Sequence, residues 1–136
     1  MSFSKEIQVI LARQLAGCLA MPILIADTEG TLVFYNEPAE AILNQRFEET
    51  GEMPAHEWVK LFAIADEKRN LIPLDERPMS LALTKRQPIS RTVWIRTGDD
   101  TGRHVSITAF PLIGQSGRHL GGVAILWAAS PDDLAR

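Results

Sequence analysis

From Ile89 to Ala128 the chain repeats one pattern three times: a β-rich run, then a short glycine-bearing loop, then another run. The runs are Ile89–Thr97, Arg103–Ile113 and Leu120–Ala128, and the loops "GDDTG" and "GQSG" between them are of hairpin length. Pairing Thr97 with Arg103 puts Val93, Ile95, Val105, Ile107 and Ala109 on one face, and centring the second loop on Gln115-Ser116 adds Gly122, Ala124 and Leu126. The other face then carries Thr92, Trp94, Ser106, Thr108, Phe110, Val123, Ile125 and Trp127. That is too apolar to stand wet on a stable monomer. A ribbon that is oily on both sides needs two covers, although a slip of one residue would exchange the faces.

The residues upstream supply helices for one cover. Ile23–Ala26 and Leu32–Tyr35 are β-rich runs around Asp27-Thr28-Glu29-Gly30, where glycine provides the positive φ of a tight turn. A helix follows at once, with Asn36 as cap, Pro38 in the first turn, Glu37 and Glu40 near its positive end, and Ala39, Ile42 and Leu43 on its buried side. Between Asn44 and Asn70 the periodicity weakens, and Trp58, Leu61 and Phe62 are placed together on one short helix. "DERPMSLALTKR" then offers Asp75 as a cap, a first-turn proline, a Met79/Ala82/Leu83 face and a basic last turn. The order of strand, strand, helices and three strands predicts an α+β domain with a largely antiparallel sheet, its inner face covered by the middle helices.

The second cover is assigned to the N-terminus. From Ser4 to Ala20, Ile7, Leu11, Leu15, Cys18 and Leu19 recur at helical spacing with Ile10 widening the stripe, and Met21-Pro22 ends the helix. This amphipathic helix covers the outer face either within its own chain or from a second copy.

Composition removes several function classes. Fourteen basic against seventeen acidic residues give a formal net charge of −3, without the basic footprint of a nucleic-acid partner. No apolar run approaches the ~20 residues of a membrane span. Lys5, Glu6, Arg13 and Gln14 interrupt any secretory pattern, so the chain is read as cytoplasmic. The single Cys18 has no cysteine partner for a disulfide or a metal cluster, and His56, His104 and His119 show no paired metal-ligand spacing. Asp99-Asp100 and Asp132-Asp133 are read as turn and helix-start residues, and Gly121-Gly122 as close packing at the last strand.

Three stretches, "ADTEGTLVFYNEPAEAIL", "LIPLDERPMSLAL" and "FPLIGQSGRHLGGVAIL", with their spacing, resemble the PAS domain family from about Pro22 to Ala129. The resemblance implies a five-stranded antiparallel sheet in spatial order 2-1-5-4-3 with helices on one face, and a sensory role. Haem-binding relatives commonly carry a histidine on the helix before the third strand, and here that helix, Glu76–Arg86, has none. Flavin-bonding relatives place a reactive cysteine in the helical middle, whereas Cys18 lies in the leading helix. Histidine-ligated haem and covalent flavin are therefore not expected, and the cofactor stays unknown. Small residues Ala109, Gly122 and Ala124 cluster on the inner face, leaving space for Phe62, Met79 or Leu83, or for a small-molecule ligand.

The resulting plan has a capping or dimerisation helix at 1–21, a PAS domain at 22–129, and at 130–136 either a polar tail or the start of an output helix, "SPDDLAR". The leading functional reading is a non-enzymatic sensory and signal-transduction module. It homodimerises through Ile7, Ile10, Leu11 and Leu15 with Trp94, Phe110, Ile125 and Trp127, and passes a change to an effector domain or signalling protein. The alternatives are a ligand-free interaction adaptor and a small-molecule enzyme using His104 with Ser106.

Overall fold

The computed structural model describes residues 21–97 and 102–128. Its strands are β1 (Ile23–Ala26), β2 (Leu32–Tyr35), β3 (Phe62–Ala65), β4 (Ile89–Thr97), β5 (Gly102–Ile113) and β6 (His119–Ala128). They form one sheet in the order β2-β1-β6-β5-β4-β3, with every neighbouring pair antiparallel. The helices are α1 (Glu37–Leu43), α2 (Phe47–Thr50), α3 (Ala55–Trp58) and α4 (Pro78–Lys85). The expected leading helix with Ile7, Ile10, Leu11 and Leu15, the tip of the "GDDTG" loop and the final segment lie outside the described residues.

The fold is the expected one with one strand more. Without β3 the sheet reads 2-1-5-4-3; β3 extends the β4 edge by pairing Phe62 with Thr97 and Ile64 with Ile95. Phe62 therefore opens a strand instead of sharing a helix with Trp58, because α3 stops after one turn. The strand's alternation covers only four residues, with Phe62 and Ile64 buried and Ala63 and Ala65 half-buried. A turn closes it. Asp66 Oδ1 accepts the backbone N–H of Lys68 and of Asn70, both at 2.9 Å, while Arg69 takes a left-handed φ of 69°.

Both expected hairpin registers differ from the observed ones by two residues. Ile95, not Thr97, faces Arg103, and Ala109 faces Ala124, not Gly122. Side chains alternate with a period of two, so neither shift exchanges a face. Val93, Ile95, Val105, Ile107, Ala109, Ala124 and Leu126 are all buried in the inner core with Leu24, Leu32 and Tyr35.

Asn36 explains why the first hairpin runs straight into a helix. Its Oδ1 accepts the N–H of Ala39 at 3.2 Å as an N-cap, and also the N–H of Ile23 at the start of β1 at 2.9 Å. Its Nδ2 donates to the Met21 carbonyl at 2.8 Å. One buried side chain thus ties β1 to the helix that follows β2. Gly30 supplies the expected positive φ, at 85°, in the turn between those strands.

Helix α4 packs on β4, β5 and β6. Its start corrects the sequence reading: Asp75 lies in a 3-10 turn, Leu74–Glu76, and Arg77 holds the N-cap position with no side-chain capping bond. Pro78 fixes this boundary, because the residue before a proline is pushed to extended geometry, and Arg77 has ψ 153°. At Gly121, φ 144°, a Cβ would run into the Ala26 carbonyl oxygen, so β6 approaches the end of β1 over bare backbone.

Candidate functional site

Two surfaces of the sheet carry the functional argument. On the inner side, α1, α3, β3 and the start of α4 enclose a cavity of about 40 Å³ against β1, β4, β5 and β6. By the room one buried water needs, that holds about three water-sized groups. Trp58 and Phe62 stack along one wall with ring centroids 5.9 Å apart, and Trp58 Nε1 donates to the Gly30 carbonyl at 2.9 Å. Leu24, Leu43, Met79 and Leu126 complete an apolar lining whose charged member is Arg77.

The six residues named from sequence as pocket candidates are divided by the fold. Phe62, Met79 and Ala124 line the cavity. Leu83 lies further along α4, beside a shallow groove shared with Thr28, Glu29 and Ser80. Ala109 is buried within the sheet. Gly122 is covered, since Met79 Sδ and Leu83 Cδ2 come within 3.0 and 3.2 Å of where its Cβ would sit. Side chains of α4 therefore fill the space above Gly122, and the cavity opens nearer Leu24, Leu43 and Trp58. Arg77 and Trp58 were missed as lining. The signal for Arg77 was present: a lone cation immediately before the proline that starts an apolar helix face.

Arg77 is 6% exposed. Its Nη2 donates to the Phe62 carbonyl at 3.3 Å, and its Cζ lies 5.3 Å from the Phe62 ring centroid. Nε and Nη1 have no acceptor among the described residues. Burial pushes the guanidinium below its usual value, because desolvation penalises the charged form. Tyr35 is raised from 10.0, mainly by burial, while its hydrogen bond with Thr50 Oγ1 at 3.0 Å acts the other way.

The outer face has three zones. Ile23, Ile25, Val33 and Val123 are buried, with Phe34, Phe110, Leu112 and Ile125 half-buried around them. Next comes a ladder of hydroxyls, Thr92 with Ser106 at 3.0 Å and Ser90 with Thr108 at 3.2 Å. Beyond it, Trp94 stacks on His104 at 4.6 Å, Arg69 Cζ sits 3.8 Å from the Trp94 ring centroid, and His104 Nε2 meets Glu67 Oε1 at 2.8 Å. Of the named interface residues, Phe110 and Ile125 belong to the apolar zone, and Trp127 on the same face is 42% exposed. Trp94 stands apart under its own covering residues.

The remaining histidines are scattered: His56 is exposed on α3, and both ring nitrogens of His119 are buried without a partner among the described residues. Among those residues, no group of three or more His, Cys, Asp or Glu side chains could hold a metal ion, and no helix is long and apolar enough to cross a membrane.

A sheet of this order, helices on its inner face and a cavity beneath them define a PAS-type domain. The profile of the PAS-fold family matches residues 19–129, and the chain belongs to that family. No curated protein matches it. Similar solved structures include the PAS domain of Bordetella pertussis BvgS, at TM-score 0.64 and 15% identity, covering 95% of this chain and 92% of that one. The PAS domain of nitrogen regulation protein NR(II) from Vibrio parahaemolyticus is similar at TM-score 0.60 and 17% identity, covering 87% and 97%. The Rhodobacter sphaeroides LOV protein is similar at TM-score 0.67 and 12% identity, covering 91% and 68%. At these identities the likeness is one of fold.

Proposed function

We propose that the chain is a PAS-type sensory and signal-transduction module that takes a small ligand into the inner cavity and homodimerises through the outer face of the sheet. The observation that carries this reading is the cavity itself. Native cores are close-packed, and space bounded by helix starts, aromatic rings and a buried cation is what a pre-formed ligand site provides. The two faces are mechanically close, because α4 rests on the strands whose reverse side carries Phe110, Ile125 and Trp127. A ligand that binds two packings of α4 unequally shifts the balance between them, and only by that difference.

In this reading residues 1–21 cap the outer face or join two copies, 22–129 form the sensor, and 130–136 are either a polar tail or the start of a helix toward an effector. It is a non-catalytic reading: His104 is engaged with Glu67, and the Ser106 hydroxyl with Thr92. A ligand-free adaptor is the second reading, and the exposed Trp127 on an apolar face is what favours it. Native mass spectrometry with light scattering tests both. A dimer that retains or takes up a small molecule supports sensing, a dimer that never does supports the adaptor, and a monomer at high concentration sinks the dimer proposal.

A further inference from the structure

Arg77 is more than nine-tenths buried, yet Nε and Nη1 find no acceptor among the described residues. No acidic side chain pairs with it there, and one carbonyl, that of Phe62, is its hydrogen-bond partner. Its position adds a second cost. Helix α4 begins at Pro78 with Arg77 as its N-cap residue, so this side chain springs from the end of the helix that carries the positive partial charge. A buried, under-bonded cation at a helix N-terminus is stabilised by an anion at that spot. Phe34 packs edge-on against Phe47, and the Tyr35 hydroxyl meets Thr50 Oγ1, whereas the Arg77 side chain borders open space.

We infer that the cavity is a site for a small monocarboxylate with a short apolar tail, its carboxylate held by the unpartnered N–H groups of Arg77. The inference rests on the reading of this cavity as the ligand site and names the chemistry it takes. A carboxylate supplies the acceptors a guanidinium's planar donors match. The tail lies against Leu24, Leu43, Ile64, Met79 and Leu126, none of which offers a polar atom to a second charged group. A dicarboxylate or phosphate would bury charge that nothing there answers. The cavity volume of about 40 Å³ limits the acid to two or three carbons. Entry has a route as well: Arg77 and Phe62 also border an open groove with Val59, Leu71, Pro73 and Leu74, so this pair stands between the cavity and solvent.

The test titrates sodium propionate, propionamide and 1-propanol into the whole chain, following the backbone amide resonances of Phe62, Met79 and Leu126 together with thermal stability. Propionate is expected to move these resonances and raise Tm, with propionamide and 1-propanol weaker by on the order of tenfold or more, the value of a hydrogen bond to a charged group. Arg77→Met, close in volume, is expected to erase the preference for propionate while keeping the weak response to 1-propanol. If that variant does not fold, the wild-type comparison of propionate with propionamide decides alone. Equal binding of acid and amide overturns the carboxylate assignment and leaves the sensory reading standing. Response to none of the three probes at the cavity amides overturns both.

Discussion

Replacing Asn36 by Ala should be among the most damaging polar changes in the chain. Asn36 is 3% exposed, and three of its hydrogen bonds reach Ala39, Ile23 and Met21. Losing the cap to Ala39 costs about 1 kcal/mol. The Ile23 N–H, buried at the head of β1, is left without that acceptor at a further cost of about 1–3 kcal/mol. The Met21 carbonyl sits nearer solvent and adds less. A total loss of about 3 kcal/mol follows, a fall in Tm of roughly 10 °C for a domain of this size. Urea unfolding followed by tryptophan fluorescence measures it, with Asn36→Ser as a control that keeps a short acceptor for Ala39 but does not span to Ile23. Ser should fall between wild type and Ala. A loss below about 1 kcal/mol in the Ala variant would refute the reasoning, since the cap alone would then account for it.

Gly121→Ala places a Cβ against the Ala26 carbonyl at φ 144° and is expected to cost about 2–4 kcal/mol in urea unfolding; near-wild-type stability would mean β1 and β6 separate freely there. Tyr35 is the only tyrosine, so tyrosinate absorbance reads it directly: the native protein should ionise above 10.0, and Thr50→Val should push ionisation higher by removing the bond that favours the phenolate. The sign for stability follows, since the contribution of neutral Tyr35 is complete below pH 10.0 and is lost as pH rises through its higher folded value. Trp127→Ala and Phe110→Ala should shift a dimer toward monomer in light scattering while leaving the inner cavity's ligand response intact; an unchanged dimer would move the interface elsewhere.

Much of the architecture was legible because it is written in local periodicity. The runs at Ile89–Thr97, Arg103–Ile113 and Leu120–Ala128 alternate long enough to fix their faces, and an error of two residues in register costs nothing in a period of two. β3 was not legible, because Phe62–Ala65 is four residues long and its apolar positions also fit a helix with Trp58. The first hairpin and its capped helix were readable from Asn36, but the bond from Asn36 to Ile23 joins residues thirteen apart and has no sequence signature. The cavity was half legible for a related reason. Small residues on the inner face predicted space above Gly122, yet Met79 and Leu83 reach down from α4 and occupy it. Where a side chain leaves a gap depends on the angle at which a helix crosses the sheet, and that angle is set by distant contacts.

The most direct test of the central claim is the electron density between the sheet's inner face and the start of α4, in crystals of the whole chain purified without added ligand. The account predicts non-protein density in the cavity beside Leu24, Phe62 and Met79, with a flat end against the Arg77 guanidinium. Phe62 and Met79 closed over the space, with water alone meeting Arg77 from the groove side, would contradict it.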